Sequence, residues 1–361
     1  MYNKIYIKHI YNIFIIRFIY ITLVFSSLIF VLGILEELKF FSSNDETGIG
    51  TPILLTILNF PSILFEIFPF IILITTQFFF IKFQDNDEIL IFKNNGINNL
   101  KIIFHLSLLV FIIGITLITV FHFMSSNMKK IYLEFKNKHT EDQKYLAVIN
   151  ENGLWIKDKL EDQTLIIHSE EIDNNKLRNI VIAIYDSGFR NQDNIIAKEA
   201  DITTNIWLFK DAIIFNDDGK KETVSNLEIK TNFDYIKINS LFSNLESLDI
   251  FKLLKQRKDF ESVGLSILDI EIYINKILSL PFNLLIFLLL SCVLMFNIRF
   301  IKSKSFVIIF GILLSAVMYY IYYFFGLLGS NNKLPILIAI WLPNLILFLS
   351  CLVGIVNINE K

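Results

Sequence analysis

Signatures of chemistry are what this sequence lacks. It has two cysteines in 361 residues, Cys292 and Cys351, and both lie inside apolar runs, which argues against a disulfide framework. There is no Gly-x-x-x-x-Gly-Lys-[Ser/Thr] phosphate loop, no His-Glu-x-x-His, no Cys-x-x-Cys and no Gly-x-Ser-x-Gly. His139 and His168 have no metal-ligand spacing around them and read as surface histidines. A net charge of −2 gives none of the bulk basicity that nucleic acid requires. The N-terminal apolar run is too long for a signal-peptide core and no small-residue cleavage site follows it, so it reads as an uncleaved membrane span. These absences point to a non-enzymatic protein with no cofactor and no metal.

What is present is apolar: 54% of the residues are hydrophobic, gathered at the two ends of the chain around a polar middle. Six stretches reach the ~20 residues that cross a bilayer: roughly 11–35, 53–83, 100–124, 277–298, 305–328 and 334–357. They form two groups of three. Lys and Arg in the short loops set the orientation. Lys4, Lys8 and Arg17 precede or open the first span, and Arg299, Lys302 and Lys304 follow the fourth; both flanks should be cytoplasmic. The loop "EELKFFSSNDETGIG" after span 1 is mostly acidic and should face outward. Alternation then puts both termini and the loop "DNDEILIFKNNGIN" inside, and the long middle segment outside.

That middle segment holds short β-rich runs, "KYLAVI", "GLWIKD", "TLIIHS", "NIVIAIYD", "NIIAKEADI", "IWLFKDAIIFND" and "NLEIKT", separated by Asn, Asp and Gly clusters. This spacing predicts an antiparallel sandwich or jelly roll, with a hairpin at Asp218-Gly219. From Ser247 to Ile277 the chain reads as helix running into span 4, with Asp249 as its N-cap. The expected domains are 1–124 (spans 1–3), 125–275 (β domain and linker helix) and 276–361 (spans 4–6).

A few polar residues stand out against the apolar background. Glu66, between Pro61 and Pro69, is ionisable within a span, which makes it a functional candidate. Counting back from Phe83 at 1.5 Å per residue places it toward the outer interface, within range of water or Lys39. Lys39 is either an interfacial anchor or a partner for a lipid phosphate. His105 and His122 suit interhelical hydrogen bonds better than a proton relay, and Arg17 suits snorkelling to the cytoplasm. The inner loop is the most patterned stretch. Asp85, Asp87 and Glu88 open it where a helix dipole favours acids, Asn86 or Asp85 can cap it, Ile89, Leu90 and Phe92 give an apolar patch, and Gly96 suits the stop. A short cytoplasmic helix over 85–96 follows, able to dock on a partner or to lie on the membrane surface.

On these residues the chain resembles the LptF/LptG (YjgP/YjgQ) permease subunits of the lipopolysaccharide export ABC transporter. Pro61 and "FPFIILI" in span 2 precede "DNDEILIFKNNGI", which is similar to the family signature Asn-x-Glu-Leu-x-x-x-Arg-x-x-Gly: Asn86, Glu88 and Gly96 match, Ile89 replaces Leu and Lys93 replaces Arg. "NKILSLPF", Asn275 to Phe282, resembles the Lys-Ile-x-x-Pro start of span 4, and "WLPN", Trp341 to Asn344, resembles the last-span motif. "GLWIKD", Gly153 to Asp158, is similar to the LptG side of the pair. The resemblance implies a helical inner-membrane protein with an inserted periplasmic jelly roll, which extracts lipopolysaccharide and passes it to a bridge of jelly rolls. It implies an LptB-like ATPase dimer, an LptF-like second permease and an LptC-like bitopic protein as partners. It makes Asn86, Asp87, Glu88, Ile89, Lys93 and Gly96 the ATPase-coupling residues, with Lys39 and Glu66 as lipid contacts. Two rival readings exist. A sensor with an outer ligand-binding domain needs a cytoplasmic output module, for which the inner segments are too short. A division-type assembly scaffold usually has four spans.

Overall fold

The computed structural model describes the chain except residues 1, 42–49, 139–144, 151–152, 161–162, 174, 187, 189, 217–220, 236–237, 239–243, 264–265, 298–303 and 360–361. His139, the Asp218-Gly219 turn, Arg299, Lys302 and most of the acidic loop after span 1 fall outside the described residues. The chain divides into two compact units, one made of residues 1–132 with 272–361 and the other of residues 133–271.

The first unit is helical. Its elements are α1 (Tyr2–Phe41), α2 (Gly50–Asp85), the short α3 (Glu88–Asn94), α4 (Asn99–Thr116), a π-turn (Leu117–Phe121) leading into α5 (His122–Lys138), α7 (Leu268–Asn297), α8 (Lys304–Ser330) and α9 (Ile336–Asn359). Among the described residues, six helices are long and apolar enough to cross a membrane, with α4, the π-turn and α5 making one of them. They outrun the apolar runs because polar ends continue the same hydrogen-bond ladder; span 3, apolar to residue 124, stays helical to Lys138. Pro61 and Pro69 stand inside α2 without ending it. A wide π-turn of the kind at 117–121 is common where a helix serves a function.

Helices in lipid gain little from burying apolar side chains against each other, so close packing and polar links decide their pairing. Gly114 of α4 lies against Pro281 of α7, where an added Cβ would come 2.7 Å from the proline Cα. Gln77 of α2 is fully buried and donates its Nε2 to the Val307 carbonyl of α8 at 3.1 Å. His105 makes an interhelical hydrogen bond, its Nε2 lying 3.2 Å from the Tyr6 hydroxyl of α1. His122 is buried against the rings of Phe65 and Tyr273.

The second unit holds a seven-stranded antiparallel sheet in which strands adjacent in sequence are adjacent in space: β1 (Tyr145–Asn150), β2 (Gly153–Lys159), β3 (Gln163–Asp173), β4 (Lys176–Asp186), β5 (Asn191–Asp201), β6 (Ile206–Asn216) and β7 (Lys221–Lys230). The β domain expected from the sequence is there, built as one meander where the spacing suggested two facing sheets. One sheet buries its apolar face by bending. On β3 to β6 the in–out alternation resets along a single line. Two outward residues stand together between buried ones: Glu170-Glu171 between Ser169 and Ile172, Arg178-Asn179 between Leu177 and Ile180, Lys198-Glu199 between Ala197 and Ala200, and Lys210-Asp211 between Phe209 and Ala212. Asn179 and Asp211 on this line both have φ of 51°. A strand that keeps one face buried across such a reset turns toward that face, so the crease wraps the sheet around its own core.

The linker region holds two helices where the sequence suggested one. α6 (Ile250–Val263) ends before α7 begins at Leu268. Asp249 caps α6 as expected, accepting from the backbone amides of Phe251 at 3.1 Å and Lys252 at 3.0 Å. Burial pushes its carboxyl up, but the Lys252 ammonium and these amides outweigh it and hold the group below the ordinary aspartate value. On the sheet, the Lys176 ammonium 2.6 Å away likewise lowers Glu199.

Candidate functional site: a short helix clamped between spans

α2 ends at Asp85, and two residues later the chain turns through Asp87, whose φ of 53° is left-handed. Asp87 is the N-cap of α3 and makes no side-chain cap bond, so neither Asn86 nor Asp85 caps the helix as the sequence suggested. Asn86 instead donates its Nδ2 to Glu88 Oε1 at 2.9 Å. The stop follows the sequence closely. Gly96, with φ of 76°, donates its amide to the Lys93 carbonyl, and the Ile97 amide reaches back to the Phe92 carbonyl at 2.9 Å. That pair of bonds is a Schellman closure, which a glycine accommodates without strain. Asn98 then caps α4, accepting from the Lys101 amide at 3.3 Å.

α3 has two sides. Ile89 and Phe92 pack inward, Phe92 against the ring of Phe83 at 5.4 Å and of Tyr6 at 6.3 Å. Leu90 and Ile91 face outward, 56% and 54% exposed. The apolar patch expected from Ile89, Leu90 and Phe92 is therefore split; Leu90 with Ile91 makes the free face. Asp87, Lys93 and Gly96 are exposed, and Glu88 is not. Its Oε2 accepts from His9 Nε2 of α1 at 2.8 Å, and its side chain is only 16% exposed. His9 and Tyr6 thus bind α3 to the start of α1 and Phe83 binds it to the end of α2, while His105 of α4 joins the cluster through Tyr6. Sequence reading passed over His9 because an isolated histidine 79 positions away carries no local signal.

The two other family-like motifs meet inside the bundle. Trp341 Nε1 donates to Asn275 Oδ1 at 3.2 Å, and the rings of Trp341 and Phe282 sit 5.5 Å apart. Asn344 accepts from the Tyr322 hydroxyl at 2.8 Å and donates to the Ile340 carbonyl, so it ties α9 to α8 beside Pro343. Lys39 and Glu66 are both exposed but are not brought together. Gly33 lies against Thr56, and α1 and α2 run antiparallel from there, so Glu66 falls beside the middle of α1. It sits near mid-helix on the 36-residue α2, roughly 25 Å along the helix pair from Lys39. The polar cluster at Lys39's end of the bundle was missed. Tyr132 donates to the buried Glu37 at 2.8 Å, and Lys129 donates to Asn59 at 2.7 Å.

A family model described as the lipopolysaccharide export system permease LptF/LptG matches residues 8–356. No curated protein matches the chain. The match takes in all six apolar helices and the inserted sheet, and the chain belongs to the LptF/LptG family of lipopolysaccharide export permeases.

Proposed function

We propose that this chain is one of two permease subunits of an ABC-type exporter in the bacterial inner membrane. An LptB-like ATPase dimer would press on α3 from the cytoplasmic side. The motion would pass into α1 through the His9–Glu88 contact and close a cavity that holds lipopolysaccharide. The lipid would leave toward an LptC-like protein and a bridge of β domains, with the sheet of this chain in the periplasm. The second permease would be LptF-like, since Gly153 to Asp158 resembles the LptG side. Lys39, at the outer end of α1, is the nearest candidate for a lipid phosphate, and Glu66 would face the lipid path.

The observation that carries this reading is the two-sidedness of α3. Its inner side is fastened to two spans, and its outer side offers Leu90 and Ile91 to a groove. A helix only seven residues long has little stability of its own, so this fastening is what lets it carry a load. The test is Leu90→Asp with Ile91→Asp in the assembled complex. The chain should insert normally while copurifying ATPase falls at least about tenfold, the equivalent of ~1.4 kcal/mol of lost docking energy. ATPase retained at the wild-type level would overturn the reading.

A further inference from the structure

Among the described residues, α6 shows a charged, partly apolar face that is left exposed. Its inner side is fixed: Leu253 and Phe260 are buried, at 0% and 6% exposure. Its outer side carries Phe251, 76% exposed, and Leu254, 44% exposed, with the exposed Lys255 and Lys258. At 100° per residue these four fall within about 100° of arc, in the order Leu254, Lys258, Phe251, Lys255. Glu261 is exposed at one border of that arc, and Lys252, paired with Asp249, lies beyond the other. Two large apolar side chains among lysines are the composition of a helix that lies in a membrane interface.

Position names the occupant. Arg257 Nη2 of α6 is 2.6 Å from Glu271 Oε1, and Glu271 is in the first turn of α7. α7 is one of the helices apolar enough to cross a membrane, from Leu268 onward. The chain from Val263 to Leu268 reaches no farther than about 18 Å even when fully extended. α6 is therefore held by an ion pair and a short tether beside the first turn of α7, about 9 Å along that helix before the apolar run that begins at residue 277. Its lysines complement phosphate, the anionic group of lipid headgroups.

We propose that α6 is a membrane-surface anchor: Phe251 and Leu254 insert among the headgroups of the leaflet on the β-domain side, and Lys255 and Lys258 hold the lipid phosphates. The inference rests on the chain crossing a membrane and not on what it transports, so it stands or falls apart from the export reading.

The experiment uses the full chain with Leu254→Cys or Phe251→Cys, spin-labelled, in nanodiscs of phosphatidylcholine alone or with phosphatidylglycerol. The native Cys292 and Cys351 are buried and leave little background. The label should collide with a water-soluble nickel chelate at least threefold less often than a label at Glu228→Cys on β7. Lys255→Glu with Lys258→Glu should raise nickel access in the phosphatidylglycerol discs and leave the phosphatidylcholine discs less affected. Nickel access equal to that at Glu228→Cys in both discs would overturn the proposal.

Discussion

Glu88 answers to two neighbours before any partner arrives. Asn86 and His9 each engage one of its oxygens, so the coupling role proposed for it would run at least partly through α1. With His9 about half exposed, the pair is worth about 0.5 kcal/mol, a twofold effect on an equilibrium. His9→Ala should therefore lower the lipid released per ATP hydrolysed by about twofold and leave ATPase copurification unchanged. Glu88→Ala should do the same, and the double variant should be no worse than Glu88→Ala. If Glu88 instead meets the ATPase directly, His9→Ala is silent and Glu88→Ala strips the ATPase away, because an uncompensated charge at a docked interface costs on the order of 2–5 kcal/mol. Gly153 is a residue of a different kind. Its φ is 115°, and a Cβ there would sit 2.2 Å from the Ser169 carbonyl oxygen. Gly153→Ala should cost at least about 2 kcal/mol through strain and overlap together. The melting midpoint of the β domain, followed by circular dichroism, should drop by about 5–10 °C; an unchanged midpoint would show that the strand slides to make room.

At the scale of elements, α6 depends on its first turn. The Asp249 carboxyl is held low in the folded chain, so the stabilisation it supplies is fully present above its unfolded value, about 3.9. It is lost as pH falls through the lower folded value. Amide exchange at Phe251 and Lys252, corrected for intrinsic rate, should quicken below about pH 4. In Asp249→Asn, which still caps but does not titrate, exchange should stay flat with pH. The cap was legible in the sequence, as were the six spans and all seven strands, because each rests on a local pattern: an acid before an apolar helix, a long apolar run, a period of two. The crease was not read, although its signal is written out. Glu170-Glu171, Lys198-Glu199 and Lys210-Asp211 each put two polar residues where alternation calls for one, and only the register of neighbouring strands aligns them. The break between α6 and α7 had a signal too, Gly264 directly after the last residue of α6, which the continuing charge pattern outweighed. At α3 the existence of the helix and its glycine stop were readable. Which side faced outward was not, since seven residues make too few turns for a periodicity to show, and the partners that settle it, Tyr6 and His9, sit on another helix.

The molecule as a whole is constrained by counting. Two crossings separate α3 from the N-terminus, and a third precedes the sheet. If each of the six apolar helices crosses once, α3 and the N-terminus would share one side of the membrane and the sheet would lie on the other, whatever the absolute orientation. The charge rule chooses between the two possibilities: Lys4 and Lys8 before span 1, against Glu36 and Glu37 after it, favour a cytoplasmic N-terminus. Thiol labelling reads both statements at once, because the native Cys292 and Cys351 are buried and quiet. In intact spheroplasts an impermeant maleimide should react with Glu228→Cys on β7 and not with Asn94→Cys at the end of α3; both should react after permeabilisation. Reversal of the two would keep the six-span count and overturn the orientation, and with it a cytoplasmic ATPase acting on α3. Labelling of both from outside would break the count itself, because two sites separated by a single crossing cannot share a side. The export role proposed above would need α3, as the helix that receives force, and the sheet, as the domain that accepts lipid, on opposite faces. An odd number of spans between α3 and the sheet is the simplest covalent arrangement that meets this need, and here that number is one.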